Sequence, residues 1–421
     1  YLTYLEYDLY NITNGKNKTK NVILYIAGES DGLGTSGPSD FNHILAQDLN
    51  ARVITLEHRM FGESTFGEDS KVETLQYLTV RQVLDDMIYF RDYLTEHSNE
   101  LDKNCKWIAV GGSYSGLLSA LLRRETMDTD KFHAAIASSG VVYATDNFVE
   151  FDTQDAISMG QECAAIARET RIKLVDMIED DETYNNYISS LFGVQGLNKS
   201  DFYFVIGELY TLALQYGKLG QICAPLLNAK RLGGDTVAAL AKFSREFFIP
   251  TFCGDNKQLI RTYDRESLRQ QEIEHKNIGG RAWLWMTCNE LAYWQVSPGM
   301  TGLRPEQLNQ EYFREQCRYV FGEGHDTPNV SAFNERYGGL DQTNVTRVIY
   351  TTSSQDPWTW ACVNKQTHEH SWVHTVTGPE MGHCSDLGLP KPTDPIDLQR
   401  THKSMRQLIM QWMNEDDEKT D

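Results

Sequence analysis

Trp107-Ile108-Ala109-Val110-Gly111-Gly112-Ser113-Tyr114-Ser115-Gly116 runs a short apolar segment into two glycines, a serine and the first residues of a helical pattern. Small residues are needed where a strand turns sharply into a helix, because a side chain there would block the bend. Such a turn exposes the serine Oγ. The helix N-terminus and the Tyr114 N–H then face any oxyanion that develops nearby. Ser115 stands where the pattern Gly-x-Ser-x-Gly has its second glycine, and serine is small enough for the place. A phosphate-binding loop is excluded, since no Gly-Lys-Ser/Thr follows. The bland alternative is a glycine-rich strand–helix turn without chemistry.

On either side of this turn, strand and helix signals alternate. Continuous apolar runs at 22–26, 52–56, 107–110 and 134–137 predict strands. Apolar side chains at Val80, Val83, Leu84, Met87, Ile88, Phe90 and Leu94 predict a helix over 80–96, and another is expected over 117–124. Continuous apolar strands separated by helices indicate a parallel sheet covered on both faces. From about 146 to 340 strand runs become rare, and helical periodicities lie around 156–180, 202–216 and 234–248. The α/β pattern resumes with strands at 347–351 and 372–376 and an amphipathic helix at 398–413. The expected architecture is an α/β core in two halves, residues 1–145 and 341–421, interrupted by a mostly helical cap at 146–340.

The chain has 421 residues, 40% of them hydrophobic, enough for a full-sized core and too many for a disordered chain. Its formal net charge of −20 repels phosphate backbones, so nucleic-acid binding is not expected. No apolar run approaches the roughly 20 residues of a membrane helix. The sequence starts at Tyr1 with neither an initiator Met nor a signal peptide, and so reads as a processed or trimmed product. Eight Cys occur without a Cys-x-x-Cys pair, which argues against zinc. Dispersed Cys together with sequons at Asn11, Asn17, Asn198, Asn329 and Asn344 favour a secretory-route glycoprotein, lysosomal, vacuolar or secreted. The competing reading is a cytosolic protein with buried free Cys.

A catalytic serine needs a base, and the base needs an orienting carboxylate. In α/β hydrolases they follow in the order Ser, Asp, His. Asp356 lies just past the strand at 347–351, and His383 just past the strand at 372–376. Open α/β sheets build their sites on loops at these carboxyl ends of strands. Asp341 and Asp386 are rival acids. Asp386 is so near His383 in sequence that fixing the local loop suits it better. His368, His370 and His374 read as ordinary surface or core histidines.

Four spaced motifs now converge: Gly111-Gly112-Ser113-Tyr114-Ser115-Gly116, Glu57-His58-Arg59-Met60-Phe61-Gly62-Glu63-Ser64, Asp356-Pro357-Trp358 and Gly382-His383-Cys384. Together they resemble the S28 serine peptidases, the family of prolyl carboxypeptidase, dipeptidyl peptidase II and thymus-specific serine protease. The resemblance implies an α/β-hydrolase fold with a helical cap, and Ser113 as nucleophile, Asp356 as orienting acid and His383 as base. It implies cleavage of a peptide substrate at a prolyl or alanyl bond near one end, through an acyl-enzyme, without metal or organic cofactor. Tyr114 N–H would be one oxyanion donor, and the loop at Gly28-Glu29 would supply another. Glu57-His58-Arg59 reads as site support or as a structural ion-pair cluster.

A proline ring asks for a flat apolar pocket with aromatic walls. Trp358 matches the family motif and is the first choice for that wall; Leu117, Tyr293 and Trp294 follow. The resemblance suggests disulfides Cys288–Cys317 and Cys223–Cys253, then Cys362–Cys384, which leaves Cys105–Cys163. It also allows a homodimer. Prolyl carboxypeptidase and dipeptidyl peptidase II carry a second His where this chain has Cys384, and Gly where it has Ser115. Both departures tilt the chain toward the thymus-type branch and leave the direction of exopeptidase action open. Esterases and lipases share the fold, and so do silent binding proteins; an intact Ser, Asp and His argues against the last.

Overall fold

The computed structural model describes residues 2–7, 18–29, 40–65, 69–271, 278–366 and 368–415. Its centre is a seven-stranded sheet: β1 (Tyr4–Tyr7), β2 (Thr19–Ile26), β3 (Arg52–Leu56), β4 (Leu101–Gly112), β5 (Ala134–Ser138), β6 (Val348–Ser353) and β7 (Trp372–Val376), in the order β1-β3-β2-β4-β5-β6-β7. Only β1 runs antiparallel, pairing Tyr4 with Leu56. This edge strand is not legible in the sequence reading, because its four residues lack an apolar run. The other strands are parallel and nearly continuous in Val, Ile, Leu and Ala, as a sheet buried on both faces requires.

Alternate side chains serve the two faces. On one face Ile23, Val53, Ile108, Val110, Ile136 and Ile349 pack under α1 (Phe41–Leu49) and the C-terminal helix Ile396–Asn414. On the other, Leu24, Leu56, Trp107, Ala109 and Ala135 meet α2 (Val80–His97) and α3 (Tyr114–Glu125). Thr79 caps α2 by accepting the Gln82 N–H.

Between β5 and β6 the described regular structure is helical, apart from an isolated bridge between Thr145 and Ala292. The longest helix is α4 (Val149–Ile178), bent at Gly160, whose φ of 73° leaves the helical region. It packs against α5 (Lys199–Gln215) and α6 (Leu219–Arg231). Then α7 (Ile278–Met286) leads back toward the sheet. This is an α/β-hydrolase core with a helical cap over the carboxyl ends of its strands. Among the described residues no helix is long and apolar enough to cross a membrane.

The disulfides differ in part from expectation. Cys288–Cys317 is present, but Cys223 pairs with Cys163, not with Cys253. The reason is helix packing: α4 and α6 bring those two Cα atoms to 5.7 Å, within bridging range. Cys105 on β4 is therefore not bonded to Cys163; it is free, buried against Thr95. Cys362 and Cys384 are also free and do not pair. The Cys362 thiol turns to the Trp358 carbonyl and that of Cys384 to the Ser138 carbonyl. Cys253 stays a buried thiol, pushed up to about 12 by desolvation.

Candidate active site

Ser113 joins β4 to α3 with φ 59° and ψ −127°, a conformation that costs a non-glycine residue about 1–3 kcal/mol. The surroundings enforce it. Its N–H donates to the Ser138 carbonyl at 2.9 Å, and its carbonyl accepts from the Leu117 N–H at 3.0 Å. No larger neighbours fit: a Cβ on Gly111 would lie 2.1 Å from the Ser115 carbonyl oxygen. Tyr114 begins α3, so its backbone N–H is at the end of the helix where donors have no helical partner. The Tyr114 hydroxyl meets His58 Nε2 at 3.0 Å, while His58 Nδ1 meets the Arg59 carbonyl at 2.8 Å. A carbonyl only accepts, so the ring carries its proton on Nδ1 and Nε2 accepts from the hydroxyl. Burial pushes His58 down to about 4, so the ring stays neutral. Arg59 forms a two-point pair with Asp86 of α2, at 2.5 and 2.6 Å. The Glu57-His58-Arg59 loop thus braces both the turn at Ser113 and the helix beside it.

Asp356 follows β6 and caps a short turn by accepting the Trp358 N–H at 2.9 Å. Its second oxygen accepts from His383 Nδ1 at 2.8 Å. The two side chains are 0% and 4% exposed, so the pair is nearly dry. Burial by itself disfavours the imidazolium, but the Asp356 carboxylate and the Cys384 sulfur outweigh it and hold His383 well above its ordinary value. His383 Nε2 is buried and finds no hydrogen-bond partner among the described residues. It borders a cavity of about 460 Å³ whose wall also includes Gly28, Glu29, Ser113, Tyr216 and Cys384. A serine hydroxyl and an uncommitted imidazole nitrogen on one cavity are the elements of proton-assisted nucleophilic attack.

The loop carrying His383 is clamped from two sides. Its N–H donates to the carbonyl of Gln215, the last residue of α5, at 2.6 Å. That approach demands glycine: a Cβ on Gly382 would sit 2.2 Å from the same oxygen. From the sheet, Cys384 N–H donates to Ser139 Oγ, and the buried Asp386 carboxylate accepts from Ser138 and Thr351 at 2.6 and 2.7 Å. Asp386 therefore ties the loop to β5 and β6 rather than facing His383. Asp341 is exposed and accepts from Thr343 N–H.

The serine carboxypeptidase S28 family model matches residues 4–405. The chain belongs to the S28 serine peptidases. It is 33% identical over 378 residues to a probable serine protease of Arabidopsis thaliana, covering 88% of this chain and 74% of that one. The thymus-specific serine protease of Mus musculus is 25% identical, over 94% of this chain and 81% of its own. The lysosomal Pro-X carboxypeptidase of Bos taurus is 22% identical, with the same coverages.

In this S28 peptidase the aromatic residues expected at the pocket separate into two groups. Trp358 is half-buried beside His383, with ring centroids 6.3 Å apart. Around it stand Phe151 at 4.9 Å, Tyr293 at 5.6 Å and Phe148 at 5.9 Å. The Tyr293 hydroxyl donates to the Val141 carbonyl, which fixes the ring edge-on to Trp358. Trp294 does not join them. Its ring faces the other way and stacks on Phe313 in the interior of the cap. Leu117, on α3, is fully buried, and like Trp358 and Tyr293 it is not among the residues that border the cavity beside Ser113.

Sequence reasoning missed Gln215, whose carbonyl holds the His383 loop and whose side chain accepts the Trp358 indole N–H at 3.1 Å. It also missed Tyr216 and Tyr25, both on the cavity wall. No local pattern marks these three. Asn11 and Asn17 lie outside the described residues. Asn329 and Asn344 are exposed. Asn198 is exposed too, but its amide already donates to Asp201 and Asp264.

Proposed function

We propose that this S28 peptidase hydrolyses prolyl or alanyl peptide bonds near a chain terminus, with Ser113 as nucleophile, His383 as general base and Asp356 as the residue that orients and charges-balances the imidazole. The observation that carries the reading is the 2.8 Å Asp356–His383 pair, whose outer nitrogen is uncommitted among the described residues and shares a cavity with the strained Ser113. His383 Nε2 takes the Ser113 proton as Oγ bonds to the scissile carbonyl carbon. The Tyr114 N–H and backbone N–H groups around Gly28 and Glu29 hold the oxyanion. Protonated His383 then gives its proton to the departing amine. Water, deprotonated by the same ring, releases the acyl group from Ser113. Trp358, with Phe148, Phe151 and Tyr293 behind it, offers a flat apolar wall for the proline ring.

The disulfides Cys163–Cys223 and Cys288–Cys317, together with the exposed sequons, support a place in the secretory pathway, lysosomal or secreted. The decisive experiment is labelling by a fluorophosphonate. The wild-type chain takes the label at Ser113, and Ser113→Ala takes none. Label retained in that variant, or prolyl peptides left intact while acyl esters are consumed, would refute the assignment.

A further inference from the structure

An exopeptidase must recognise a chain end, and the two ends carry opposite charges. A terminal carboxylate needs a guanidinium, an ammonium or a set of N–H donors. A terminal ammonium needs a carboxylate. Among the described residues bordering the cavity beside Ser113 there is no Lys and no Arg. Its one carboxylate is Glu29, on the loop directly after β2.

Glu29 borders this cavity. It is half-buried, and its charge is felt by His383 and by the hydroxyls of Tyr216 and Tyr293, which surround the cavity and the aromatic wall. Burial raises its carboxyl, against the pull of its own backbone N–H and of His383. Among the described residues bordering the cavity His383 is the one group whose positive charge reaches Glu29, so a half-dry carboxylate there gains from a cationic ligand group. Size agrees. A cavity of about 460 Å³ is about 10 Å across, room for two residues at about 3.5 Å each between the scissile carbonyl and the wall.

We infer that Glu29 receives the free α-ammonium of the substrate, so that this chain cuts from the amino-terminal end and the short N-terminal fragment becomes the acyl group on Ser113. The inference rests on Ser113 being the nucleophile. In the reaction the Ser113 Oγ–carbonyl bond forms, the peptide C–N bond breaks, and the longer remainder leaves as an amine with the proton from His383. Glu29 also borders the place where the oxyanion forms. Unpaired, its negative charge opposes that oxyanion; paired with the ammonium, the charge is cancelled. Selection therefore acts on turnover as well as on binding.

The test uses a short peptide with proline in second position, in three forms: both ends free, N-acetylated, and C-amidated. For the wild-type chain N-acetylation is expected to lower kcat/KM about 30-fold, about 2 kcal/mol, and C-amidation to change it less than about twofold. In Glu29→Gln the penalty for N-acetylation shrinks to about threefold or less, and Glu29→Asp restores part of it. Equal rates on free and acetylated peptides, loss of activity on C-amidation, or an undiminished acetylation penalty in Glu29→Gln would overturn the inference. Absence of fluorophosphonate label at Ser113 in the wild type would instead overturn the assignment of the nucleophile. The two failures are thus separable.

Discussion

Replacing Asp356 by Asn tests the centre of the proposed chemistry with little change of shape. His383 Nδ1 and the Asp356 oxygen are 2.8 Å apart, and both side chains are almost unexposed. When His383 becomes an imidazolium, two opposite charges face each other. With their centres about 4 Å apart and an effective dielectric near 20, the attraction is about 4 kcal/mol, or about 10³-fold in rate. Asn can also turn its NH₂ group toward Nδ1, forcing the proton onto Nε2 and removing the base, which raises the expected loss toward 10⁴-fold. The assay is kcat/KM on a proline-containing peptide from pH 4 to pH 8, with thermal melting as a control for folding. The sign of the pH effect follows from the same pair. Asp356 holds His383 above its ordinary value, and the base works only when neutral. Activity thus rises as pH rises through the His383 pKa, and Asp356→Asn moves that limb to lower pH. A folded variant that keeps more than a tenth of the activity with an unmoved limb would refute this reasoning.

Three further changes probe the supports of the site. Gly382→Ala sets a Cβ 2.2 Å from the Gln215 carbonyl oxygen and pushes the His383 loop away; a displacement near 1 Å is expected to lower kcat/KM by about 100-fold, read by steady-state kinetics. Tyr114→Phe keeps the backbone N–H but strands the buried His58 Nε2. It should cost about 1–3 kcal/mol, or about 1–3 °C in melting temperature, with kcat/KM within about threefold. A much larger kinetic loss would give the hydroxyl a chemical role. Glu290 accepts the Val80 N–H at the start of α2, and burial raises it to about 7 from 4.5. A carboxyl raised in the folded state favours folding when protonated, so stability present below about pH 4.5 is lost as pH climbs through about 7. Glu290→Gln, which can still accept that N–H, removes the penalty and should stabilise the chain at pH 8 by up to about 3 kcal/mol, measured by denaturant titration.

The sequence by itself determined what depends on neighbours along the chain. The run from Trp107 to Gly116 contains its own strand, bend and helix start, so the turn at Ser113 was legible locally, although the Ser138 carbonyl on the neighbouring strand also holds it. The apolar runs within β2 to β6 were legible because a strand buried on both faces is apolar over much of its length, whereas the edge strand β7 is partly exposed from Trp372 to Thr375. The order of Ser113, Asp356 and His383 was readable for the same reason, each lying just past a strand. Tertiary structure alone decided whatever depends on which distant segments meet. Cys163 found Cys223 because α4 packs on α6. Gln215 reached the His383 loop because α5 ends against Gly382, across 167 positions of sequence that carry no sign of the approach. Trp294 and Tyr293 are adjacent in the chain, yet a turn at positive φ sends one ring into the cap interior and the other toward Trp358. The sequence showed that Glu29 follows a strand; only the packing of the chain around Ser113 made it the one carboxylate bordering the cavity among the described residues. Local sterics are written residue by residue, whereas a site is assembled by the burial of surfaces that the chain separates.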